Sequence, residues 1–158
     1  MSPSKQDTFI ELAVRLAVES VRRGGGPFGA VIARDGAILA TGMNGVTPYA
    51  DPTAHAEVVA IRNACRVLGD HRLVGCELFA SCEPCPMCLA AAYWARIDGI
   101  YFAGTKLDAA AAGFDDLEIG IDLERSADER RIHLVRVAAA SAGEPFAEWG
   151  AKADRVPY

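Results

Sequence analysis

Apolar side chains recur at helical spacing from Thr8 to Val21, where Phe9, Leu12, Ala13, Leu16, Ala17 and Val21 share one face. The run Gly24-Gly25-Gly26-Pro27 ends that helix. The period then shortens. Residues Phe28 to Ala33 read as a strand, Asp35-Gly36 as a two-residue hairpin turn and Ala37 to Gly42 as the returning strand. Asn44 to Thr53 is rich in turn formers and reads as a loop. Thr53 is the expected N-cap of a second helix, running from about Ala54 to Leu68. Gly75 leads into a third strand, Cys76 to Ser81. Pro84 and Pro86 open a third helix that reaches about Arg96, because proline is tolerated in a first helical turn and not later. Gly99 to Ala103 reads as a fourth strand and Asp108 to Ala112 as a short helix stopped by Gly113. Ile132 to Val137 reads as a fifth strand and Pro145 to Gly150 as a last short helix. Strands alternating with helices point to a layered α/β domain with a mixed sheet.

Composition narrows the class. The chain has 158 residues, 51% of them apolar, which fits one domain with a sizeable core. No apolar run is long enough to span a bilayer, and Met1 to Asp7 is polar, without the layout of a signal peptide. A cytoplasmic location is the expectation. The five cysteines (Cys65, Cys76, Cys82, Cys85 and Cys88) are odd in number and three are clustered, which suits metal binding and not a disulfide framework. The net charge of -5, with basic residues scattered and no pairs denser than Arg22-Arg23 and Arg130-Arg131, does not suit a long track of phosphates. A small neutral substrate is favoured over nucleic acid.

The candidate chemistry lies in two short motifs. His55-Ala56-Glu57 is followed about thirty residues on by Pro84-Cys85-Pro86-Met87-Cys88. One imidazole and two thiols make three zinc ligands, and a catalytic zinc keeps its fourth position for water. His55 and Glu57 are two apart, so on one helix they point about 200° apart. Both can reach a metal only if it lies off the helix N-terminus. Cys85 and Cys88 are three apart and share a face at the start of their own helix. Zinc would sit between two positive helix ends, which favour thiolate. Zinc lowers the pKa of a bound water from 15.7 to about 7, and Glu57 is placed to act first as base and then as acid. The H-x-E…P-C-x-x-C pattern is the established signature of zinc-dependent nucleobase deaminases.

Other readings compete with this one. Cys82 could complete a closed structural zinc site, or pack as a strand-end residue. The cysteine run echoes an iron–sulfur motif but lacks its fourth cysteine followed by proline. His71 and His133 have no motif around them and read as surface or core histidines. Cys65 and Cys76 read as buried fillers.

The residues also carry a family resemblance, over essentially the whole chain. The chain resembles the cytidine deaminase superfamily and, within it, the bacterial guanine deaminases. The matching segments are Pro27-Phe28-Gly29-Ala30, Asp51-Pro52-Thr53-Ala54-His55-Ala56-Glu57 and Ser81-Cys82-Glu83-Pro84-Cys85-Pro86-Met87-Cys88. Tyr93-Trp94-Ala95-Arg96, Ala112-Gly113-Phe114-Asp115-Asp116 and the terminal Tyr158 extend the match. The resemblance implies a three-layer α/β/α sandwich around a five-stranded mixed sheet, formed by residues 1–158 as one domain. It implies one zinc per chain held by His55, Cys85 and Cys88, with Glu57 catalytic, and a reaction that turns guanine into xanthine and ammonia. It implies a purine site of Asn44, Phe28, Trp94, Asp116 and Tyr158. Asn44 would hydrogen-bond the purine ring, Phe28 and Trp94 would line the pocket, and Asp116 would accept from the purine edge. Tyr158 would come from the partner subunit of a homodimer that exchanges a segment of about 140–158. Without the resemblance, Phe28 and Trp94 read as core, Asn44 as a turn residue, and Asp115 and Asp116 as loop acids or helix caps. A tRNA adenosine deaminase is the nearest alternative, followed by deaminases of guanosine, cytosine or an aminotriazine. A zinc-scaffolded binding module is the non-enzymatic one, and it would leave Glu57 without a use.

Overall fold

A computed structural model describes residues 4–158 of the chain. They divide into two compact units, one ending at Ile121 and the other spanning Asp122–Tyr158. Helix α1 (Lys5–Arg22) starts at a capping box, in which Ser4 Oγ accepts from the Asp7 N–H and the Asp7 carboxylate accepts from the Ser4 N–H. Its buried stripe is Phe9, Ala13, Ala17 and Ser20. Strands β1 (Gly29–Arg34) and β2 (Ala37–Met43) form the expected hairpin. Asp35 and Gly36 both adopt positive φ, 53° and 73°, as a type I′ turn requires. Helix α2 (Val46–Tyr49) is a single turn inside the segment expected to be a loop.

Helix α3 (Ala56–Leu68) starts later than its sequence suggested. Its N-cap is His55, not Thr53. The Thr53 backbone N–H and hydroxyl both donate to Asp51 Oδ1, at 2.8 and 2.7 Å, so that side chain is spent on a local turn. Strand β3 (Cys76–Cys82) leads into α4 (Pro86–Trp94), whose N-cap is Cys85 and whose first residue is proline. Strand β4 (Gly99–Gly104) and helices α5 (Lys106–Ala111) and α6 (Asp116–Glu124) follow. The α6 helix was not expected from the sequence. Helix α7 (Glu144–Ala151) lies in the second unit.

The sheet order is β2-β1-β3-β4, antiparallel at its first two pairings and parallel at β3–β4. Side-chain alternation along β1 builds the layers. Ala30 and Ile32 pack with Ala56, Ala60, Leu78 and Ala92 on the α3 and α4 side. Val31 and Ala33 pack with Phe9, Ala13 and Phe79 on the α1 side. Gly42 permits α3 to lie on β2, since a Cβ there would meet the Ala56 carbonyl oxygen at 2.1 Å. Helices on both faces make the three layers. The expected fifth strand is corrected: among the described residues the sheet has four strands, and Ile132 to Val137 joins no ladder. High β-propensity does not make a strand where no partner supplies the hydrogen bonds. Among the described residues no helix is long and apolar enough to cross a membrane.

Candidate active site

The starts of α3 and α4 bring the two motifs together. Extended backbone at His55 (ψ 151°) and at Cys85 (ψ 168°) aims both side chains off the helix ends, and Glu57 and Cys88 follow in the two first turns. His55 Nδ1 lies 3.6 Å from Cys85 Sγ and 3.5 Å from Cys88 Sγ. The three donors lie within 4.8 Å of one another. Zinc–sulfur bonds of about 2.3 Å and zinc–nitrogen bonds of about 2.0 Å, opened at a tetrahedral angle, place sulfur and nitrogen roughly 3.5 Å apart. The donor set and its spacing therefore fit one tetrahedral zinc. Cys82 is not in the group. Its thiol donates to the Thr105 carbonyl at 3.3 Å, and burial pushes it up to about 11, which keeps the proton on sulfur.

The electrostatics divide the two thiols. Hydrogen bonding from Cys88, joined by His55, holds Cys85 far below the ordinary thiol range. The neighbouring Cys85 thiolate, together with burial, raises Cys88 above the ordinary thiol range. The Cys85 hydrogen bond raises His55 against the opposing effect of burial. Glu57 is 6% exposed, and Cys88 donates to its Oε2 at 3.4 Å. Burial lifts its carboxyl from 4.5 to about 6, the range in which one side chain can both take and return a proton.

A cavity of about 400 Å³ opens beside His55. Phe28, Asn44, Phe114, Asp115 and Asp116 line it, with Ile119 of α6. Phe28 precedes β1 instead of lying on it, and its ring meets Phe114 edge-on with centroids 4.8 Å apart. Asn44 is buried, with Oδ1 accepting from the N–H groups of Gly26 and Val46 at 3.1 and 3.2 Å. Asp116 is the first residue of α6; burial, and then the Cys85 thiolate, raise its carboxyl. The other two expected pocket residues lie on α4 and in the second unit. Trp94, at the end of α4, is 60% exposed and does not line the cavity. Tyr158 belongs to the second unit, where its ring packs edge-on against Trp149 at 6.4 Å. Phe114 was missed as a wall residue, although an aromatic between Gly113 and two acids was a signal for one. Ser20 was also missed: it is a buried polar residue on the apolar stripe of α1.

Residues 3–104 match the family described as "cytidine and deoxycytidylate deaminase zinc-binding region". The chain belongs to that family. It is 52% identical to guanine deaminase of Bacillus subtilis over 153 residues, 96% of this chain and 98% of that protein. The crystal structure of that protein superposes over the same shares with a TM-score of 0.92. Guanine deaminase from Nitrosomonas europaea has a TM-score of 0.68 at 30% identity, covering 73% of this chain and 67% of that one. A tRNA-specific adenosine deaminase of Aquifex aeolicus is 41% identical over 98 residues, 62% of this chain and 65% of its own length. The 153-residue match to a guanine deaminase includes the segment after Ile121.

Proposed function

We propose that this chain is a zinc-dependent aminohydrolase that converts guanine and water into xanthine and ammonia. One observation carries the reading: a buried carboxyl lifted toward neutrality stands beside three converging zinc donors at the edge of a purine-sized cavity. His55, Cys85 and Cys88 hold the metal. When bound, zinc supplies the Lewis acidity that makes water a nucleophile near neutral pH. Glu57 takes the two protons of the attacking water in turn and passes one to the ring nitrogen and the other to the departing amine. Asp116 accepts from the N1–H that guanine has and adenine lacks. The Asn44 amide contacts the purine ring, and Phe28 with Phe114 forms the aromatic wall.

The protein acts as a homodimer in the cytoplasm, and a segment of about 140–158 is exchanged so that Tyr158 completes the partner's site. The exposure of Ile132, Leu134, Val135 and Val137, between 77% and 83%, supports a covering second copy. Five free cysteines suit a reducing compartment. An ammonia-release assay over guanine, guanosine, adenine, cytosine and ammeline, with zinc measured on the same sample, tests the reaction. Guanine is expected to turn over fastest. An inert guanine beside an active second base overturns the substrate, and saturable, salt-sensitive tRNA binding overturns the small-molecule reading.

A further inference from the structure

Hydrogen bonds to both its backbone and its side chain hold Asn44 in the cavity wall. Its backbone N–H donates to the Phe28 carbonyl at 3.1 Å. Its backbone carbonyl accepts from Ser20 Oγ at 3.1 Å, in a buried hydrogen bond that links residues far apart in sequence. Its side-chain Oδ1 meets two backbone N–H groups, from Gly26 and Val46. Two N–H donors can meet only an acceptor, so the amide is fixed with Nδ2 turned away from them. The Nδ2 donors are what Asn44 can offer a ligand.

Ser20 is the anchor of this arrangement. It is 2% exposed and lies in the last turn of α1, where the stripe of Phe9, Ala13 and Ala17 calls for an apolar residue. A hydroxyl at such a position needs a partner, and the Asn44 carbonyl is that partner. The glycine run after α1 folds over the same point. The Gly25 N–H donates to the Ser20 carbonyl at 2.9 Å. A Cβ at Gly25 would stand 2.2 Å from the Asn44 carbonyl oxygen and 2.6 Å from Ser20 Oγ. Ser20, Gly25 and Asn44 therefore close on one another without room for another atom.

We propose that Ser20 is a positioning residue for substrate recognition, whose buried hydroxyl sets the Asn44 backbone so that the Asn44 amide donates to an acceptor atom of the purine. The proposal rests on the reading of Asn44 as a purine contact. Ser20 touches no substrate; it acts through Asn44 alone. Displacing a contact group by a fraction of its hydrogen-bond length weakens it steeply, so removal of the hydroxyl is expected to lower kcat/KM for guanine by roughly 10-fold or more, mostly through KM.

A double-mutant cycle on the zinc-loaded protein tests it, with Ser20→Ala, Asn44→Ala and the double variant. The expected result is a loss on Ser20→Ala that disappears when Asn44 is already alanine. An equal loss in both backgrounds makes Ser20 a purely structural residue and overturns the proposal, as does no loss in either. If Asn44→Ala itself leaves kcat/KM unchanged, the purine contact assigned to Asn44 fails, a result separate from a failure confined to Ser20. Ser20→Cys keeps the shape with a weaker donor and is expected to fall between wild type and Ser20→Ala in KM. It carries the same cycle should the alanine variant fail to fold. A Ser20→Cys KM no better than that of Ser20→Ala, or equally raised without Asn44, also overturns the proposal.

Discussion

The two units of the chain treat their apolar residues in opposite ways. Up to Ile121, strands and helices bury Ile32, Leu73, Leu78 and Phe79 completely, and the same packing seats the motif ends of α3 and α4 side by side. From Asp122 onward no residue is buried, although the segment holds Ile132, Leu134, Val135, Val137 and Phe146. Its internal order rests on polar contacts, such as Asp122 paired with Arg125 and Arg131, and Arg130 donating to the Leu123 carbonyl. Exposed ion pairs of this kind contribute about 1 kcal/mol or less each. One unit holds donors for chemistry in fixed places; the other leaves its apolar side chains exposed.

The contrast predicts that chemistry and assembly can be broken separately. Glu57→Gln removes the proton carrier while keeping the shape of the side chain and its acceptor for the Cys88 thiol. Turnover of guanine is expected to fall by roughly 1,000-fold, with zinc content unchanged by atomic absorption. Loss of zinc in that variant, or retained turnover, would break the assignment of Glu57. Cys88→Ala, by contrast, is expected to lose both zinc and activity.

The second unit is broken by charge. Leu134→Glu with Val135→Glu places two carboxylates in the surface proposed to be covered by a second copy. Dimer affinity is expected to drop roughly 100-fold or more, read by sedimentation equilibrium. Each chain should still bind one zinc, because all three donors lie before Ile121. An unchanged dimer would show that these residues face solvent in the assembly as well.

What the sequence made legible follows the same division. The convergence of His55, Cys85 and Cys88 beside Glu57 was readable because these residues stand two and three apart at helix starts. The hairpin was readable because Asp35-Gly36 admits positive φ. The α3 cap was misplaced because Thr53 competes for Asp51, a choice made by tertiary geometry and not by propensity. The strand expected at Ile132 to Val137 failed because a β-branched run specifies a preference and not a partner. Phe114 and Ser20 escaped because each matters through a residue distant in sequence, Phe28 in one case and Asn44 in the other.

The smallest of the expected effects isolates the burial of Glu57 itself. The folded site holds its carboxyl at about 6, above the 4.5 of a free side chain, and burial is the main cause. The folded state therefore binds the proton more tightly than the unfolded state does. The stabilisation linked to that proton is fully present below pH 4.5, is lost as the pH rises through about 6, and stays lost above it. Between those two values the linkage amounts to about 2 kcal/mol. Glutamine keeps the side-chain oxygen that Cys88 donates to but carries no charge. In zinc-free protein, Glu57→Gln should thus be more stable than wild type by about 2 kcal/mol at pH 8, with the difference vanishing near pH 4.5. Paired thermal or urea melts across that range measure it. A constant difference at every pH would mean that the Glu57 carboxyl gains its stability from contacts other than its proton. Wild type being the more stable at pH 8 would mean that its charge is compensated inside the site even without the metal.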